Sequence, residues 1–131
     1  MSTREPDWKF SEADAASRSP LAASFMETRA RLNGIVAKAN NGLLKRFYNI
    51  DHNTYLDGAI PAKFKELMGL SVSAALRCDD CIMYHVIQAW RLGATRDEQE
   101  ETLNVAVVVG GSIVIPHLRR AYALVAELYD N

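Results

Sequence analysis

The sequence predicts an all-α fold of about six helices, and three observations predict it. Apolar residues recur at three- and four-residue intervals through one segment after another, the period of a single helix face. The breaks between segments fall at residues that end or start helices: Pro20, Asn40-Asn41-Gly42, Asp57-Gly58, Pro61, Gly93 and Thr95. No partner strand is evident anywhere in the chain. At 131 residues, 49% of them hydrophobic, the chain is one domain by length and long enough to bury a core.

Residues 1–19 are polar, mixed in charge and without sustained periodicity. They read as a flexible N-terminal arm whose aromatic rings, Trp8 and Phe10, could dock on a neighbouring subunit. The folded domain is expected over 20–131. Its first helix opens at Pro20, carries Leu21, Phe25, Ala30, Leu32, Ile35 and Val36, and stops at Asn40-Asn41-Gly42. A second amphipathic segment holds Leu43, Leu44, Phe47, Tyr48, Ile50 and Tyr55 and ends near Asp57-Gly58. A third runs from Pro61 to the cysteines, with Gly69 inside it at a cost of about 1 kcal/mol of helix propensity relative to Ala. The next helix continues from the cysteines through Trp90 and Leu92, with Gly93 as its C-terminal cap. Thr95-Arg96-Asp97-Glu98 is a capping box that opens another. That helix becomes apolar on every side from Leu103 to Val109, which predicts burial, and Gly110-Gly111 permits a bend before Pro116. The β-branched run from Val105 to Ile115 could be strand by period alone; the absence of a partner strand favours helix. A last amphipathic stretch runs from His117 to about Tyr129. One small monomer has little interior in which to hide so much apolar helix, so a homo-oligomer is expected.

A net charge of −1 offers no basic face for nucleic acid. No run of 18 apolar residues suggests a membrane span, and the opening residues lack the apolar segment of a secretion signal, so a cytoplasmic location is expected. In that reducing compartment a lone cysteine pair is more often catalytic or metal-binding than structural. A bridge across three residues would also remove very little chain entropy.

The chemistry-bearing stretch is Cys78-Asp79-Asp80-Cys81-Ile82-Met83-Tyr84-His85. On a helix Cys78 lies one turn from Cys81 and Cys81 one turn from His85. Cys78 and His85 are two turns apart, roughly 10 Å along the axis, so the imidazole serves Cys81. A helix start at Cys78 would favour thiolate over thiol through its free N–H groups and dipole. If the chain turns sharply at Arg77-Cys78, the preceding helix folds back and brings Glu66 toward His85, where a carboxylate would fix the imidazole tautomer. A solvated face is the alternative for Glu66, as a turn or solvated face is for His52. His117 reads as structural or capping unless the last helix packs over the cysteines. Met83, Tyr84 and Trp90 are expected in the core or at an interface.

Glu66, eleven residues, Cys78-x-x-Cys81, three residues and His85, with their flanks Lys-Glu-Leu-Met-Gly-Leu-Ser-Val-Ser-Ala-Ala-Leu, Leu-Gly-Ala-Thr-Arg-Asp-Glu and Val-Val-Val-Gly-Gly, resemble the alkylhydroperoxidase D-like branch of the carboxymuconolactone decarboxylase family. The resemblance covers roughly Pro20 to Leu128. It implies an all-helical fold assembling as trimers or hexamers and a thiol–disulfide oxidoreductase that reduces peroxide or disulfide substrates. In that scheme Cys81 is the attacking thiolate, His85 and Glu66 remove its proton, Cys78 is the resolving thiol, and an unidentified thiol donor reopens the disulfide. No cofactor or metal is implied, because the dithiol carries the electrons. Asp80 stands where the best-known members have His, and an extra carboxylate would raise the thiol pKa. Three other readings stand beside this one. A carboxymuconolactone decarboxylase-like lyase is disfavoured because that branch generally lacks the cysteine pair. A zinc site could draw on Cys78, Cys81, His85 and either Glu66 or His117. An inert helical oligomer would simply bury its thiols.

Overall fold

The helical periods resolve into α1 Glu12–Arg18, α2 Pro20–Lys38, α3 Gly42–Thr54, α4 Ala62–Ala75, α5 Asp79–Arg91, α6 Arg96–Gly110 and α7 Ile115–Tyr129, with a 3-10 turn over Ser112–Val114. The structure is a computed structural model describing residues 2–130; Met1 and Asn131, the outer limits of the expected arm and domain, lie outside the described residues. Among those described there is no strand, and Arg4 and Asp57 form an isolated β-bridge. The expected punctuation does what its chemistry allows. Ser19 accepts from the Ala22 N–H ahead of Pro20 in the first turn of α2, the Asn41 side chain caps α3, and Thr95 and Glu98 bond reciprocally at the start of α6.

The N-terminal stretch departs from the expected arm. Ser11 and Asp14 form a second capping box that opens α1, and α1 buries Ala15 completely. Phe10 stacks on Trp90 at 4.3 Å between ring centroids, and the Arg91 guanidinium lies 4.2 Å over Trp8. The two rings dock on their own chain. Seven residues are two turns, too few to display a period, so the one capping box was the only signal available.

The core forms where α4, α5, α6 and α7 meet the first half of α2. Leu70, Ile82, Val86, Leu103, Leu124 and Leu128 are fully buried there, each contributing about 1.5–3 kcal/mol relative to exposure. The connection that matters for function joins α4 to α5. Arg77 adopts a left-handed backbone, φ 62°, its N–H bonds to Ala74 O, and the Cys78 N–H bonds to Ser73 O. That is a Schellman ending with Arg where Gly is usual. It reverses the chain within three residues and lays α5 back along α4. The same motif ends α5, with Gly93 at φ 86° and the Ala94 N–H bonded to Ala89 O.

Within the single chain α6 buries Gln99, Leu103 and Ala106 only. Val108 and Val109 are 86% and 76% exposed in the single chain. Among the described residues nothing covers that side of α6. α3 likewise buries no residue at all.

Candidate active site

Cys78 is the N-cap of α5, and its Sγ accepts from the Cys81 N–H at 3.3 Å. The cysteines are bonded to each other as a disulfide across 5.3 Å between Cα atoms. Cys81 is exposed whereas Cys78 is half-buried, so an external reactant meets Cys81 first. The helix start places an unpaired backbone N–H and the positive end of the α5 dipole at the sulfur atoms, which favours negative charge there once the bond is opened. Asp79 and Asp80 in the same turn oppose that effect.

His85 lies one turn beyond Cys81 and is buried. Its Nδ1 is 2.7 Å from Oε2 of Glu66, a residue only 2% exposed, 19 residues away in sequence and reached through the reversal at Arg77. With the carboxylate accepting, Nδ1 donates, which leaves Nε2 as the nitrogen able to take a proton from elsewhere. Burial pushes the Glu66 carboxyl above its ordinary range; the hydrogen bond and charge of His85 pull it the other way without cancelling the rise. Two tyrosines enclose the ring. Tyr84 meets it edge-on at 5.2 Å and Tyr55 is tilted at 5.6 Å. Burial, reinforced by the Glu66 charge, pushes the Tyr55 phenol up to about 12 and raises Tyr84 as well, so both remain protonated at neutral pH.

A cavity of about 430 Å³ opens onto Cys81 and His85 together. Phe25, Phe47, Tyr48 and Tyr84 make its wall largely apolar, with Arg29, Asp51 and Asp80 as charged groups. The Arg29 guanidinium lies 4.5 Å over the Tyr84 ring. A second cavity, about 580 Å³, reaches His85 from the other side, past Tyr55, Met68, Gly69 and Ser73. The imidazole is therefore part of the wall of both.

All four residues singled out from the sequence come together here. Tyr84, expected in the core or at an interface, lines the cavity and touches the imidazole. Arg29, Phe25, Tyr48 and Asp51 were not found from sequence, because they arrive from α2 and α3 by tertiary contact and no local spacing marks them. His117 packs near the cysteines after all: its Nδ1 is 2.8 Å from the Asp79 carboxylate, with Arg120 3.8 Å from the same group. His52 pairs with Glu5 at 2.8 Å on the surface. Among the described residues no three His, Cys, Asp or Glu side chains converge as a metal site would require, so the zinc reading gains no ligand set.

Comparison with known proteins gives the family and the fold neighbours. The family model described as carboxymuconolactone decarboxylase family matches residues 41–124. An uncharacterized protein of Cupriavidus necator is 32% identical over 78 residues, 60% of this chain and 69% of its own length. The uncharacterized protein 4 in the cox locus of Paracoccus denitrificans is 27% identical over 95 residues, 72% of this chain and 86% of that protein. Among solved structures, TM1620 of Thermotoga maritima superposes with a TM-score of 0.78 at 48% identity, covering 82% of this chain and 94% of that one. A second structure of TM1620, at 1.56 Å, has a TM-score of 0.77 and describes it as a carboxymuconolactone decarboxylase family protein for which a part in an antioxidative response is suggested. The Legionella pneumophila protein lpg0406, of the same family, matches at a TM-score of 0.57 and 26% identity over 92% of this chain and 97% of that one.

Proposed function

The chain belongs to the carboxymuconolactone decarboxylase family, and from that membership we propose that it is a thiol–disulfide oxidoreductase of the alkylhydroperoxidase D-like kind, reducing peroxide or disulfide substrates at Cys81. The observation that carries the reading is the buried pair of His85 and Glu66 one turn from an exposed cysteine, with cysteine and imidazole in the wall of one cavity. A structural cysteine has no use for a base held in a single tautomer beside an open pocket. In the reduced protein His85 takes the Cys81 proton at Nε2 while Glu66 steadies Nδ1. The thiolate attacks the outer oxygen of a hydroperoxide: an S–O bond forms, the O–O bond breaks, and the alcohol leaves with a proton. Cys78 then attacks the sulfenic acid; the S–S bond forms and water leaves. The two electrons come from the dithiol and are restored by an external thiol donor, available in the cytoplasm.

Self-association belongs to the same proposal. The uncovered apolar faces of α3 and of the end of α6 favour a homo-oligomer, of three or six copies as the sequence resemblance implies.

Peroxide consumption by the reduced protein and its variants tests the reading. Cys81→Ser is expected to abolish turnover, and Cys78→Ser to stop after one attack with a trapped sulfenic acid or mixed disulfide. His85→Ala should slow attack at neutral pH by about 10²-fold or more, the usual scale for a lost general base. Wild-type consumption by Cys81→Ser would defeat it.

A further inference from the structure

Gly69 sits inside α4, where glycine costs about 1 kcal/mol relative to alanine. Its surroundings show what accompanies that cost. A Cβ built at this position would lie 2.6 Å from Cε1 of His85 and 2.8 Å from each ring nitrogen, against about 3.5–4.0 Å for an ordinary carbon contact. The imidazole therefore lies against bare backbone. Glu66, three residues earlier on the same face of α4, holds its Nδ1 at 2.7 Å. One helix face thus supplies both the carboxylate and the gap into which the ring fits.

A lone side chain can often swing away from an added methyl group. Here it cannot do so without consequence, because Glu66, Tyr84 and Tyr55 bound the ring on its other sides. Either the imidazole leaves the Glu66 carboxylate or α4 is pushed away from α5. We propose that Gly69 is a positioning residue of the relay: its missing side chain is the seat that keeps His85 bonded to Glu66 and aligned on Cys81. The inference rests on the reading of His85 as the base for Cys81. Gly69 touches neither the thiol nor the substrate cavity that contains it; its effect runs through the ring.

The test compares reduced wild type, Gly69→Ala, His85→Ala and the double variant. Iodoacetamide alkylation of Cys81, mapped by mass spectrometry, is followed from about pH 6 to about pH 10, across the ordinary thiol pKa of about 8.5. Thermal unfolding is recorded on each. At pH 7 Gly69→Ala should react about tenfold or more slowly, the scale expected of a misplaced group. The double variant should be no slower than His85→Ala, since both changes remove the same interaction. At the alkaline end all four rates should converge, because the thiol then ionises unaided, and the melting temperature, which Gly69→Ala lowers through the clash, should be no lower in the double variant than in His85→Ala. Wild-type reactivity of Gly69→Ala at pH 7 beside a slow His85→Ala overturns the seat alone. Wild-type reactivity of His85→Ala overturns the relay and the seat together. Additive losses, or a Gly69→Ala deficit that persists at alkaline pH, mean damage unrelated to the ring and also overturn it. If Gly69→Ala does not fold, the double variant decides: folding once the ring is gone upholds the conflict between methyl and imidazole, and failure to fold overturns it.

Discussion

Glu66 is an ionisable residue held where burial opposes its charge. Its carboxyl is raised by burial, so the folded chain holds that proton more tightly than the unfolded chain does. A raised acid contributes its stability below the ordinary carboxyl value of about 4.5 and loses it as pH climbs through the folded value. Glu66→Gln cannot titrate and does not suffer that loss. Urea midpoints of the two proteins should therefore shift in favour of the variant between about pH 4.5 and neutrality, while the variant's amide oxygen still accepts from Nδ1 but no longer supplies the charge that favours the imidazolium. The opposite trend, with wild type gaining on the variant, would mean that the hydrogen bond to His85 outweighs burial. The pairing itself was legible from spacing only on the condition of a sharp reversal at Arg77, since 19 residues separate the partners. Gly69 was legible only as a helix-weakening residue, because the ring that needs the gap comes from the next helix.

At the scale of elements, the reversals before and after α5 offer a comparison within one molecule. Both are Schellman endings, one with Arg77 at φ 62° and the other with Gly93 at φ 86°. A side chain in that region costs about 1–2 kcal/mol. Arg77→Gly should stabilise the fold by about 1 kcal/mol, and Gly93→Ala should destabilise it by a similar amount, both readable in equilibrium unfolding. A destabilised Arg77→Gly would mean that the arginine side chain makes contacts worth more than the strain. Pro20, Asn41, Gly93 and the Thr95 capping box marked their boundaries from sequence because caps are local chemistry. α1 did not show itself, since one buried alanine in two turns makes no period. The exposed end of α6 agrees with the expectation that one small chain cannot hide so much apolar helix, because apolar composition reports that a surface needs covering and is silent on which chain covers it.

For the whole molecule the open question is what meets the uncovered faces. α3 is 13 residues long and buries none of them, near the length at which an isolated helix is marginal in water, about 12–15 residues. Leu43, Phe47 and Ile50 are 73%, 63% and 63% exposed, and Met68 and Val72 of α4 with its C-cap Leu76 form an exposed apolar row. The proposed homo-oligomer would bury both rows. The double variant Leu43→Asp/Phe47→Asp should sediment as a smaller species with reduced helix content, whereas an unchanged sedimentation coefficient would remove α3 from the interface. The proposed dithiol chemistry is tested by intact and peptide mass spectrometry of the reduced protein before and after one equivalent of peroxide, with metal content determined on the same sample. The expected result is a loss of two mass units, mapped to a Cys78–Cys81 disulfide and reversed by reductant. Two alkylatable thiols that ignore peroxide, or thiols that react only after zinc is stripped from them, would contradict it.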